Sequence, residues 1–119
     1  MRNHFPATTL LGALVATAAL LVATPSIGAD EEAAKALARQ NNCFKCHAVS
    51  KDKDGPAYKK VAEKFKGKPD AEEKLINHIT SGEKAKFPDG HEEDHKIIKT
   101  DPPKDMAQIK NLVQWILSQ

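Results

Sequence analysis

The chain has 119 residues, 40% of them hydrophobic and 29% charged, which is enough for one small domain and too little for a large core of its own. Eighteen Lys and Arg against sixteen Asp and Glu leave a net charge of +2, a balance that does not suit wholesale binding of nucleic acid.

Arg2 and His4 give a short positive start, followed by an apolar run from Leu10 to Val22 and a small-residue stretch, Pro25-Ser26-Ile27-Gly28-Ala29. This three-part layout reads as a secretory signal peptide, residues 1–29, cleaved after Ala29. A retained membrane anchor needs ~20 apolar residues, more than this run supplies. The remaining domain, 30–119, is expected to be exported.

Glu31 to Gln40 reads as a helix, with Ala33, Ala34, Leu37 and Ala38 on one face and Asp30, Glu31 and Glu32 at its positive end. Asn41-Asn42 breaks it just before Cys43-Phe44-Lys45-Cys46-His47. A C-x-x-C-H run is the attachment signature of a c-type haem. Cys43 and Cys46 reach the two vinyl groups of one porphyrin as thioethers, and His47 supplies the proximal imidazole to iron. A thioredoxin-like redox pair would need βαβ patterning, which is lacking, and a zinc site would need further ligands from a chain with two cysteines. Next come a polar turn at 51–56 and a short helix over roughly 57–66, in which Tyr58, Val61, Ala62 and Phe65 share a face. Asp70 and Glu73 form a capping box for a third helix with Leu75, Ile76 and Ile79 as its stripe, ended by Ser81-Gly82. Residues 83–105, with Pro88, Gly90, Pro102 and Pro103, read as a long ordered loop without strands. A last helix runs from about Lys104 to Ser118, carrying Ile109, Leu112, Val113, Ile116 and Leu117, with Trp115 beside them as plain core packing.

With its four helices, the motif after the first of them and an aromatic near the end of the last, the stretch 31–119 resembles a small bacterial class I (monohaem) cytochrome c. The resemblance implies an all-α fold, about four helices around one covalently bound haem c, and a one-electron carrier rather than an enzyme. Gly55-Pro56-Ala57-Tyr58 matches the family's Gly-Pro segment, which gives the Pro56 carbonyl the role of acceptor for the proximal imidazole N–H.

One departure concerns the distal ligand. The family's methionine falls roughly ten residues past the glycine ending the third helix and roughly sixteen before the helix aromatic, which is positions 92 to 99 here, and no methionine stands there. His95 lies inside this window and His91 one residue outside it. A bis-histidine iron of lowered potential follows, with His95 as distal ligand, His91 as the alternative and Met106, which opens a helix and suits core packing, a weaker one; an open or water-bound iron is the remaining option. His78 reads as a surface or helix-end residue. The acids Glu92, Glu93 and Asp94 could hold a divalent cation with the spare histidine, though a charge run is usually a solvated face.

Eight lysines between Lys45 and Lys68 outnumber the three acids there, so the segment is either an ordinary lysine-rich surface or a docking face for acidic redox partner proteins. Against the electron carrier stands a haem gas-binding or sensor protein, or a small oxidoreductase, with a displaceable distal histidine. A subunit of a multihaem assembly is a third option.

Overall fold

The computed structural model describes residues 28–119, so the apolar run of the expected signal peptide lies outside the described residues. Helix α1 spans Glu31–Gln40. The Asp30 carboxylate caps it by accepting from the Ala33 N–H at 3.0 Å, Glu31 and Glu32 fill the first turn and Arg39 the last, all complementing the helix dipole. Helix α2, Cys43–Cys46, is a single turn that the hydrophobic pattern was too short to announce. The chain enters it through Asn42 at φ 56°, a left-handed conformation that asparagine tolerates better than most residues.

Helix α3, Tyr58–Phe65, is seated against the chain that follows the cysteine motif by two bonds, Tyr58 N–H to Ala48 carbonyl at 2.9 Å and Lys59 N–H to Val49 carbonyl at 3.0 Å. Helix α4 spans Ala71–Ser81 and ends at Gly82, whose φ of 72° suits the residue without a Cβ. The capping box expected at its start does not form. Asp70 makes no side-chain cap and instead pairs with Lys74 at 2.9 Å, an i,i+4 ion pair on the exposed face.

The expected strandless loop contains a hairpin, a second correction. Strand β1, Lys84–Lys86, pairs antiparallel with β2, Glu92–Asp94, setting Lys84 opposite Asp94 and Lys86 opposite Glu92. Opposite charges face each other across the ladder, with the Lys84 ammonium 2.6 Å from the Asp94 carboxylate. Nearly every side chain of the hairpin is exposed, so it carries no apolar alternation from which a strand could be read.

Helix α5, Met106–Leu117, is capped by Asp105, which accepts from the N–H groups of Ala107 and Gln108. Its buried stripe of Ile109, Leu112, Val113, Trp115 and Ile116 crosses α1, where the fully buried Ala34 and Ala38 let the two helices approach. Leu37, Tyr58 and Trp115 fill the rest of this core, and Phe44 packs edge-on against both Tyr58 and Trp115. Each such aliphatic or aromatic side chain stabilises by roughly 1.5–3 kcal/mol on burial. Met106 is not part of it: this residue is 43% exposed, so the core packing expected for it is not observed.

Candidate functional site

The helices enclose a cavity of about 990 Å³, at the upper end of cofactor pockets. Leu75, Ile79, Ile98, Leu112, Val113 and Ile116 supply apolar walls, and Cys43, Cys46 and His47 stand together on one side. Both thiols are free. Burial pushes the Cys43 thiol above its ordinary range, with the Lys96 ammonium opposing, and burial likewise raises Tyr58.

His47 is held from three directions. Its Nδ1 lies 2.8 Å from the Pro56 carbonyl oxygen, to which it can donate only as the Nδ1–H tautomer, leaving Nε2 with a free lone pair. The Tyr58 ring stacks on it at 5.1 Å between centroids and 19° between planes. Gly55 closes in from another side: a Cβ there would stand 2.7 Å from Nδ1 and 2.8 Å from Nε2 of the ring, so only glycine fits.

Across the cavity stands His95, the residue following β2, with its ring centroid 6.4 Å from that of His47. Its Nδ1 is 2.9 Å from the Lys96 carbonyl oxygen, which again leaves Nε2 free. Burial lowers its pKa, with His78 and His47 adding to the effect, and so favours the neutral ring that metal ligation requires. His78 lies in the last turn of α4 and is more than a surface residue. Its ring centroid is 4.3 Å from that of His95, and its Nδ1 meets the Glu83 carboxylate at 2.7 Å.

His91 is elsewhere. It sits at the exposed end of the hairpin, stacked on Phe87, with Nδ1 against the Asp89 carboxylate and Nε2 3.1 Å from Glu93. Both ring nitrogens are engaged by carboxylates, and the residue does not line the cavity. Nor does Met106. No cluster of three or more ligating side chains suited to a metal ion occurs among the described residues, so the divalent-cation option for Glu92, Glu93 and Asp94 gains no support.

The hydrogen bond to Asp89, then that to Glu93, raises the His91 pKa above the ordinary value of 6.5. A raised folded-state pKa makes the protonated ring stabilising: the contribution is complete below 6.5 and fades as pH rises through the folded value. An NMR titration of His91 is therefore expected to show a midpoint above 6.5, and His91→Gln should remove that part of the pH dependence of unfolding. A midpoint at or below 6.5 would contradict the paired geometry.

A family model described as Cytochrome c matches residues 31–119. The chain belongs to the cytochrome c family. It is 35% identical over 101 residues to cytochrome c-552 of Hydrogenobacter thermophilus, covering 83% of this chain and 94% of that protein. It is 33% identical over 108 residues to cytochrome c-551 of Pseudomonas aeruginosa, covering 89% and 91%. Among solved structures, class 1 cytochrome MtoD from Sideroxydans lithotrophicus ES-1 is similar with a TM-score of 0.71 and 68% identity, over 76% of this chain and 97% of that one. As a class I cytochrome c the protein carries one covalently bound haem c and transfers electrons rather than catalysing a reaction. The cavity, its two thiols and the free Nε2 of His47 suit that group.

Proposed function

We propose that this cytochrome c is an exported, periplasmic one-electron carrier whose haem is attached through Cys43 and Cys46 and ligated by His47 and His95. The observation that carries the reading is the pair of imidazoles lining one cavity with their ring centroids 6.4 Å apart. With metal–imidazole bonds of about 2 Å, a shared ion spaces two ring centroids roughly 6 Å apart. The haem supplies a single iron that cycles between ferrous and ferric states. The protein's share is positional. Pro56, Gly55 and Tyr58 fix the His47 ring, the Lys96 carbonyl fixes the tautomer of His95, and Leu75, Ile79, Ile98, Leu112, Val113 and Ile116 offer an apolar lining. Two protein ligands leave no site for a substrate and little to rearrange on electron transfer. An imidazole in place of a thioether favours ferric iron, so the potential lies below that of methionine-ligated relatives.

Export belongs to the same reading and rests on the layout of residues 1–29. No helix among the described residues is long and apolar enough to cross a membrane. Docking of acidic redox partners falls to the lysine segment 45–68. All eight of its lysines are exposed and Lys60 is offset by Asp52, so Lys45, Lys51, Lys53, Lys59, Lys64, Lys66 and Lys68 carry the attraction.

Stopped-flow oxidation of the reduced protein, with and without carbon monoxide, tests the function. The expected result is fast electron transfer to an anionic protein partner that slows as salt rises, and a ferrous spectrum that carbon monoxide changes only slowly. Immediate formation of a carbon monoxide adduct would favour the gas-binding reading instead.

A further inference from the structure

The stretch that delivers His95 is tied to the body of the protein at only a few points. His95 N–H donates to the Glu83 carbonyl at 2.9 Å, and Ile98 N–H to the Ile79 carbonyl at 2.8 Å. The next tie is made by a side chain. Asn41, 5% exposed and two residues before Cys43, accepts from the Lys99 N–H at 2.8 Å through Oδ1 and donates to the Lys99 carbonyl at 2.9 Å through Nδ2. A second Nδ2 hydrogen goes to the Leu37 carbonyl at 3.1 Å in the last turn of α1. The carboxamide thus pairs with Lys99 as a strand backbone would, and joins the segment entering the cysteine motif to the segment leaving His95.

We propose that Asn41 is the positioning residue that keeps His95 in place across from His47, and so keeps the iron closed to small ligands; the proposal rests on His95 as the distal ligand. The chemistry singles out asparagine. A carboxylate of the same shape offers no donor, and would turn its charge toward the carbonyls of Lys99 and Leu37 in a buried setting, a costly arrangement. A serine is too short to reach both partners, and a glutamine is longer by one methylene.

The test is carbon monoxide binding to the ferrous forms of the wild type, Asn41→Asp and Asn41→Ser, set beside Ile109→Ala. Ile109 is 2% exposed in α5 and does not line the cavity, so that variant lowers stability without touching the tie. The expected result is a rise of about tenfold or more in the rate of adduct formation for both Asn41 variants and none for Ile109→Ala, tenfold corresponding to about 1.4 kcal/mol. Wild-type rates in the Asn41 variants, with thermal stability lowered as in Ile109→Ala, would overturn the proposal and leave Asn41 a merely structural residue. His95→Ala combined with replacement of His78, whose ring lies 4.3 Å from that of His95, separates the two layers: a low-spin spectrum that survives in this double variant means that the ligand assignment has failed, whatever the Asn41 variants do. Should neither Asn41 variant retain haem, hydrogen exchange in the unaltered protein decides. The Lys99 amide is expected among the slowly exchanging ones, and an unprotected Lys99 overturns the tie.

Discussion

His95→Ala is expected to convert a six-coordinate low-spin iron into an open or water-ligated one, with a high-spin ferric spectrum and a ferrous form that takes up carbon monoxide as fast as it is mixed. His91→Ala and Met106→Ala should leave the spectrum of the parent unchanged. The contrast follows from what each side chain faces. His95 stands 6.4 Å from His47 between ring centroids, is half-buried, and keeps Nε2 free because Nδ1 is engaged by the Lys96 carbonyl. His91 has a carboxylate on each nitrogen and lies on the exposed hairpin. Met106 sits exposed in the first turn of α5. Optical and electron paramagnetic resonance spectra of the three variants check this. A low-spin His95→Ala with His78 also replaced would remove His95 from the site, whereas a low-spin form lost only in that double variant would show the neighbouring imidazole, 4.3 Å away, taking its place.

Gly55→Ala is the second large effect. The added methyl would stand 2.7 Å from His47 Nδ1 and 2.8 Å from Nε2, closer than carbon and nitrogen can approach without bonding. The ring has nowhere to retreat, since Tyr58 stacks on it and Pro56 holds Nδ1. Nor can the backbone move freely: Gly55 N–H donates to the Cys46 carbonyl at 2.7 Å, and the Gly55 carbonyl accepts from Lys53 N–H at 3.0 Å. Overpacking of this kind costs about 1–3 kcal/mol, which in a domain of this size lowers Tm by roughly 5–20 °C. The displaced imidazole should also alter the ferric spectrum and the reduction potential, a change that a remote destabilising substitution would not produce. Thermal melts and a potentiometric titration measure both, and an unperturbed Gly55→Ala would mean that the Gly55–His47 approach is not maintained in solution.

Residues close in sequence were the legible ones. The helices at 31–40, 58–65, 71–81 and 106–117 announce themselves through apolar residues at helical spacing, because a helix face buried against a neighbour has to repeat with the helix period. The cysteine motif was legible for a similar reason: its two thiols and imidazole share a single turn of chain, so spacing alone expresses their geometry. The cap of α4 shows the limit of such local rules, since Asp70 has a competing partner in Lys74 and the sequence does not say which it takes.

By itself, then, the sequence determined the family and the C-x-x-C-H motif with its imidazole, and it holds no methionine between positions 92 and 99. Which histidine faces His47 was decided only by tertiary structure. His91 and His95 are four residues apart in a polar stretch without apolar periodicity, and it is the Lys–Asp and Lys–Glu pairing of the hairpin that carries His91 outward and returns the chain at His95 to the cavity. The close approach of Gly55 to His47, the contact of His78 with His95 and the clasp of Asn41 on Lys99 were equally out of reach. Each joins residues eight to fifty-eight positions apart through packing or a pair of side-chain hydrogen bonds, and such contacts leave no repeating pattern along the chain.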